Sequence, residues 1–316
     1  MDFNSNELVK FDFIEYSKYF KDQDFGLNIA KEILKLNNID KEPIRITEGS
    51  SLVFNIDEEL FLKITPSFFY DSFNTELEIT KLYKKFSYEI PDIFKFNSFE
   101  NWNYLITKKV RGKQLYKVYK EFSFDDKLEL AQQLGNIIYE ISKINSFGFK
   151  RHFGTWNDLL NDRLKNQYKI HFEKGNSDYW CKEINNFIEE QKEKLLNLNN
   201  IVLVHADINL SHIMIEKTNN KWKLIGLLDL ADSMNAPCEV EFILPFIDLF
   251  KGNYSLQKEL LKFANYKQKY DDKEFSELLM ALTLQNRFIA FHDWFSKEIN
   301  SGIKNLRDLA KLIFPY

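Results

Sequence analysis

Glycine is scarce in this chain, with 10 in 316 residues, and none are spaced as GxGxxG or GxxxxGK[ST] requires. A dinucleotide fingerprint and a P-loop are thereby excluded, so any phosphate site must be cradled differently. Cysteine is scarcer still, with only Cys181 and Cys238. Neither stands in a zinc-type spacing such as CxxC, and the two read as reduced thiols. No apolar run approaches the roughly 18–20 residues that span a bilayer. The opening stretch MDFNSNELVKFDF is too acidic and too interrupted for a signal peptide, and a cytoplasmic location is expected. A basic excess is lacking as well. The net charge of -4 argues against a nucleic-acid partner, and nothing points to an obligate protein partner. The mild acidity is compatible with a cationic ligand.

What is present is ordinary for a globular chain: 44% hydrophobic and 28% charged residues, over a length that usually divides into two domains or lobes. Residues 26–37 have helical periodicity, with Ile29, Ile33 and Leu34 on one face. Three short strands follow, at Ile44–Ile46, Leu52–Phe54 and Leu60–Ile64, separated by the turns Glu48-Gly49-Ser50-Ser51 and Asp57-Glu58-Glu59. This is an antiparallel meander. A helix is predicted over 72–86 with Ser72 as its N-cap, then strand-like sequence after Pro91, a strand at Tyr104–Thr107 and a break at Gly112. The first part is thus a small α+β unit, and the lobe boundary falls near 107–112. The remainder is mainly helical: 125–143 is the clearest amphipathic helix, followed by 156–167, 179–197, 255–266, 274–296 and 303–313. One β interruption stands out, at Ile201–Val204, Ile213–Ile215 and Lys223–Leu228.

That interruption carries the chemistry. A buried strand delivers His205-Ala206-Asp207 to its end, a common place for reactive groups. The polar stretch Lys217-Thr218-Asn219-Asn220 joins the next two strands. A hairpin centred on Asn219-Asn220 pairs His212 with about position 227, which brings Asp229 out beside it at the open end. Phosphoryl transfer needs a carboxylate for the acceptor proton and a second for a metal, helped by a neutral ligand. Asp207, Asp229 and His212 can fill those roles. Each also has a plain structural reading: His205 as a core histidine, Asp229 as a cap, Asp232 as a solvated acid. Upstream, Lys63 ends the apolar run Leu60–Leu62 and can bind phosphate as a point charge. Glu76 or Glu78, on the following helix, can pair with it. The turn holding Ser50 and Ser51 can offer backbone N–H groups to phosphate. The order meander, lysine, glutamate helix, HxD, hairpin and aspartate is far more specific than any one of its parts.

With these residues in view, roughly 40–245 resembles the aminoglycoside phosphotransferase and choline kinase superfamily, which shares the protein-kinase fold. The family pattern H-G/A-D-x-x-x-x-N, then a hairpin, then apolar-I-D, reads here His205-Ala206-Asp207-Ile208-Asn209-Leu210-Ser211-His212 and Leu227-Leu228-Asp229. Leu105–Gly112 is similar to the family's hinge. The HAD triplet, together with Glu241, is especially similar to hygromycin phosphotransferases. Two departures are plain. His212 stands where Asn is usual, although some aminoglycoside and macrolide kinases carry His there, and the usual G-D-P reads Asn235-Ala236-Pro237, an altered turn. Protein-kinase HRD, DFG and APE motifs do not occur.

The resemblance implies an α+β, bilobal, protein-kinase-like fold with a small antiparallel-sheet N-lobe (1–107), a hinge (108–112) and a larger, mainly helical C-lobe (113–316). It implies an enzyme that moves the γ-phosphoryl group of ATP or GTP onto a hydroxyl with Mg2+ as cofactor, most simply on an aminoglycoside-type antibiotic. The roles it implies are Asp207 as catalytic base, Asp229 and His212 on magnesium, and Lys63 on the nucleotide phosphates with Glu76 anchoring it. Backbone groups of Lys108 to Val110 receive the purine, and His205 braces the loop. Acidic and aromatic residues would select a small hydroxylated substrate: Asp158, Asp162, Asp232, Glu239, Glu241, His292, Asp293 and Trp294. Glu241 and the AFHDWF helix also read as structural. The alternatives are a housekeeping kinase for a choline-like base, sugar or amino acid, a metal-dependent hydrolase using His205, Asp207, His212, Asp229 and Asp232, and an inactive binding module.

Overall fold

The computed structural model describes Tyr16, Phe20, Asp22 and residues 24–47, 51–83 and 86–315. The N-terminal stretch and Ser50 lie outside the described residues. The chain divides into two units: one runs to Arg111 and takes in Gly226–Asp232, and the other comprises Gly112–Ile225 and Ser233–Tyr316.

The first unit is an antiparallel sheet of β1 (Ile44–Ile46), β2 (Leu52–Asn55), β3 (Leu60–Pro66), β4 (Ile93–Phe99) and β5 (Trp102–Lys108), in the order β1-β2-β3-β5-β4. Side chains alternate between faces. Leu62 and Ile64 of β3 join Tyr104 and Ile106 of β5, Phe54 of β2 and Ile33 and Leu34 of the helix α1 (Leu27–Leu36) in one core. Lys63, between them, therefore points to the opposite face, where its register partner is Leu105. That face is covered by α2 (Tyr70–Leu82), whose Phe73 and Leu77 pack on Leu105. Ser72 does not cap α2: the helix starts two residues earlier, after Phe69, without a side-chain cap, because a 3-10 turn at Ser67–Phe69 runs straight into it.

Gly226 is required by close approach: a Cβ there would lie 2.4 Å from the Glu89 carbonyl oxygen. The neighbouring Leu227 N–H donates to that same oxygen (2.9 Å). Gly112 opens the second unit with φ of +82°, close against the Ile215 backbone, a left-handed conformation that favours glycine.

The second unit is built on α3 (Phe124–Ser142), closed at its start by a capping box between Ser123 and Asp126. The helices α4 (Trp156–Glu173), α5 (Asp178–Leu196), α6 (Tyr254–Phe263), α7 (Asp272–Leu284), α8 (Phe291–Asn300) and α9 (Leu306–Ile313) complete it. A single helix over 274–296 does not form. The Leu284 carbonyl instead accepts from Arg163 (3.3 Å) and lies 3.3 Å from His171 Nε2, and the Asn286 side chain turns the chain by accepting from Phe288 N–H. These bonds satisfy the helix end in place of another turn.

The β elements of this unit are β6 (Lys113–Gln114), β7 (Ile201–Val204), β8 (Ile213–Thr218), β9 (Lys221–Leu227, ending in the first unit) and β10 (Met234–Pro237). They form β6-β8-β9 and β7-β10. Asn219 and Asn220 join β8 to β9 with φ of 51° and 62°, the left-handed pair of a two-residue hairpin turn. Asn235-Ala236-Pro237, expected as an altered turn, is strand, with Asn235 opposite Leu203 and Pro237 opposite Ile201. Proline at the end of a short strand hides such a segment from pattern reading.

Candidate active site

In the first unit, Lys63 Nζ donates to Glu76 Oε2 (2.7 Å) and to Asp229 Oδ1 (3.0 Å). Strand alternation aims Lys63 at α2, and Glu76, buried on α2, meets it. Glu78 instead accepts from Asn74 on its own helix. Burial alone would lower the Lys63 ammonium, but Asp229 and Glu76 reverse this and hold it above the usual lysine range. Asp229 has a left-handed backbone, φ 57°, uncommon for a non-glycine residue and often found at functional positions. Asp232 ends the short turn Leu230–Asp232 and is half-buried. Ser51 lies in a bend, half-buried. The Lys108 amide donates to the Asp92 carbonyl and the Lys109 amide to that of Glu59, while the Lys108 ammonium pairs with Asp92 (2.9 Å). Val110 is buried.

In the second unit, residues 205–212 form a loop fastened from several sides. Glu241, 2% exposed, accepts the His205 amide at Oε2 and the Ala206 amide at Oε1 (2.5 and 3.1 Å). That clamp holds Ala206 at φ 65° and turns the chain so that Asp207 follows. Burial pushes the Glu241 carboxyl up to about 7, against the pull of its two amide donors and with the charge of Asp207 adding to the rise. Further along, the Leu210 amide donates to Asp248 (2.9 Å), the Tyr116 amide to the Leu210 carbonyl and Gln114 to the Ser211 carbonyl. His205 is fully buried, and its Nδ1 lies 3.3 Å from the Asp207 amide.

Asp207 Oδ1 accepts from Asn209 Nδ2 (2.9 Å). His212 Nδ1 lies 2.8 Å from the Asp207 carbonyl oxygen and 3.1 Å from its Oδ2. Asn209 Nδ2 lies 3.0 Å from the same nitrogen, and two acceptor oxygens so close favour the imidazole proton on Nδ1. Taken singly, the Asp229 carboxylate, with 38% of its side chain exposed, is of the hard oxygen type that magnesium takes, and the His212 imidazole, its Nδ1 beside a carbonyl oxygen, is held in orientation as a neutral donor would be. No group of three or more His, Cys, Asp or Glu is gathered among the described residues.

Several proposed substrate residues have structural employment. Asp158 closes the α4 capping box with Thr155, and Asp162 accepts from Asn166. Glu239 is buried, accepting from the Tyr266 hydroxyl (2.8 Å). His292 and Asp293 are exposed at the start of α8, and Trp294 is half-buried. Sequence reasoning missed Asn209 and Asp248. Asp248 had a signal: a lone carboxylate inside the apolar run Ile243–Phe250 needs a buried partner. Asn209 had only its place between the apolar Ile208 and Leu210.

A family model described as the phosphotransferase enzyme family matches residues 44–247. No curated protein matches the chain. Solved structures with a similar fold include the streptomycin–ATP–APH(2")-IIa ternary complex (20% identity, 89% of this chain and 92% of that one, TM-score 0.61). The GDP complex of aminoglycoside 2'-phosphotransferase-IIIa is 15% identical over 91% of this chain and 98% of that one (TM-score 0.64). Aminoglycoside phosphotransferase APH(3'')-Id from Streptomyces rimosus, with ADP and streptomycin, is 14% identical over 83% and 98% (TM-score 0.63). At such identities the likeness establishes the fold: α+β, with an antiparallel sheet followed by a mainly helical remainder.

Proposed function

Because the chain belongs to the phosphotransferase enzyme family and is a kinase-type phosphotransferase, we propose that it transfers the γ-phosphoryl group of ATP or GTP to a hydroxyl of a small molecule, with an aminoglycoside-type antibiotic as the leading acceptor and resistance as the corresponding role. The observation that carries this reading is Lys63 held by both Glu76 and Asp229. It is a fixed ammonium beside a carboxylate, the pairing that a phosphate chain and its divalent ion require.

In this reading residues 1–107 take the nucleotide, 108–112 form the hinge and 113–316 take the acceptor. Lys63 binds the phosphates as a point charge, and Glu76 keeps it in place. Ser50 and Ser51 offer backbone donors to the same phosphates. The Lys108 and Lys109 amides are engaged, and the remaining backbone groups of Lys108 to Val110 would receive the purine. Asp229, and His212 through Nε2, would hold Mg2+, which would neutralise phosphate charge. Asp207, oriented by Asn209, accepts the proton of the attacking hydroxyl. Asp158, Glu239 and Glu241 have roles in the fold, so the candidates for selecting a cationic acceptor are Asp293, His292 and Trp294 on α8 and, separately, Asp232.

The test is a coupled nucleoside-diphosphate release assay with ATP and GTP. The acceptor panel contains aminoglycosides, a choline-like base, sugars and amino acids. Acceptor-dependent release with an aminoglycoside and none with the other classes supports the reading. Release with another class moves the acceptor assignment, and no acceptor-dependent release with either nucleotide contradicts it.

A further inference from the structure

Three polar residues four apart on α4, Arg163, Gln167 and His171, fall on one face of that helix, and all three are buried. They meet the connection between α7 and α8. Arg163 donates to the Leu284 carbonyl (3.3 Å), Gln167 accepts from the Gln285 side chain (2.8 Å), and His171 Nε2 lies 3.3 Å from the same Leu284 oxygen. Just past the helix end, Lys174 donates to the carbonyls of Arg287 and Ile289 (3.0 and 2.7 Å). Four side chains from one stretch of chain thus hold the connection. The amides of Gln285, Asn286, Phe288 and Ile289 are bonded at the end of α7 or within the connection itself.

His171 has the ordinary pKa nearest neutrality of the four. Its ring is fully buried, and among the described residues no group bonds its Nδ1. The carbonyl at Nε2 therefore favours a neutral ring with its proton on that nitrogen. A second proton would go to Nδ1, where no acceptor meets it and where the neighbouring charges are positive. Arg163 and Lys174 act on the ring, and Arg287 acts on Arg163, whose charge Asp162 partly offsets. From α5, the Cys181 thiol is bonded to the Asn176 carbonyl (3.6 Å), and Asp178 is taken by Tyr168 (2.6 Å) and Lys182 (2.8 Å). Residues 282–285, the end of α7, carry no ionisable side chain. Burial, and then the charge of Arg163, pushes the imidazole down from 6.5 to about 4, against the pull of the Leu284 carbonyl.

We propose that His171 makes the α7–α8 connection an acid-released clasp: a proton on Nδ1 drives the ring from its site, parts it from the Leu284 carbonyl and opens residues 284–290 while α3 stays folded. His171 lies in the last turn of α4, followed by the exposed residues 172–175, so its departure requires only that turn to fray. The folded-state value lies below that of free histidine. The ring's contribution is therefore complete above about pH 6.5 and is lost as pH falls toward 4. The clasp involves neither nucleotide nor acceptor, and it operates whichever substrate the enzyme takes.

The test is hydrogen exchange of the full chain, read by mass spectrometry from about pH 7.5 to about pH 4.5 and corrected for the intrinsic pH dependence of exchange. In wild type, residues 284–290 should lose about tenfold or more of their protection below about pH 6.5, while α3 keeps its own. His171→Gln can still donate to the Leu284 carbonyl but takes up no proton, and should show no such loss. The proposal is overturned if wild-type protection at 284–290 is flat over this range, if it is lost only together with that of α3, or if His171→Gln loses it as wild type does. Should the variant not fold, nitrogen NMR of wild-type histidines decides. The His171 ring should be neutral with its proton on Nε2 near pH 7, and should gain its second proton in step with the opening of 284–290. A proton on Nδ1 near pH 7, or a titration out of step with that opening, overturns the proposal equally.

Discussion

The Lys63–Glu76–Asp229 cluster and the 205–212 loop are stabilised by different means. In the cluster, charged side chains hold one another, and a strand, a helix and a turn each supply one member. In the loop, the backbone is held by carboxylates from far along the chain, Glu241 at its start and Asp248 near its end. The cluster therefore depends on which side chains are present. The loop depends on carboxylates that spend their oxygens on its backbone amides.

The largest effect should separate chemistry from binding. Asp207→Asn keeps the shape and the Asn209 contact but removes the base, so kcat should fall about 10³–10⁴-fold. Nucleotide affinity should be unchanged, as read by equilibrium titration. A fall in affinity of similar size would mean that Asp207 holds the nucleotide.

Next is Lys63→Ala, which leaves Glu76 and Asp229 facing each other without their cation. Removing one partner of a buried pair costs about 3–5 kcal/mol, at the lower end here because the Asp229 side chain is 38% exposed. Urea unfolding should record that loss, and kcat/KM should fall with it. If Lys63→Ala/Glu76→Gln recovers stability but not activity, the cluster is functional; recovery of both would make it structural.

Glu241→Gln should disturb the loop without touching ligand. Its amide offers a donor where two backbone amides need an acceptor, and the resulting shift of Asp207 should lower kcat about a hundredfold. A pH effect accompanies it. The Glu241 carboxyl, raised from 4.5 to about 7 in the fold, favours the folded state fully below its unfolded value. That contribution is lost as pH rises through about 7. The pH dependence of Tm should flatten across that window in the variant.

The smallest effect is a control. Asn220→Gly replaces a left-handed asparagine, φ 62°, in the β8–β9 turn, and should raise stability slightly, because Asn-Gly is the preferred pair of such a turn. Activity should not change.

The same contrast explains what could be read from the sequence. The meander was legible because Leu52, Phe54, Leu62 and Ile64 alternate on one face, and α3 because its buried positions recur at helical spacing. The family membership was legible because His205-Ala206-Asp207 and Leu227-Leu228-Asp229 are short, ordered motifs. The end of α7 was not, since it is set by Arg163 and His171 from α4, more than a hundred residues away. β10 was not, since Asn235-Ala236-Pro237 becomes strand only through its pairing with β7. Within the candidate site, Lys63 and Asp229 stood out as polar residues ending apolar strands. Choosing Glu76 over Glu78 from the residues alone was not possible, because both lie on α2 and only tertiary packing turns one toward Lys63. Asn209 was invisible because its role is a hydrogen bond two residues back along its own loop.

The most direct measurement is transfer of label from γ-labelled nucleotide to the acceptor, in a single turnover, by wild type and Asp207→Asn loaded equally with nucleotide. Phosphorylated acceptor should accumulate with wild type and be nearly absent with the variant. Equal accumulation would contradict the assignment of Asp207 as the base.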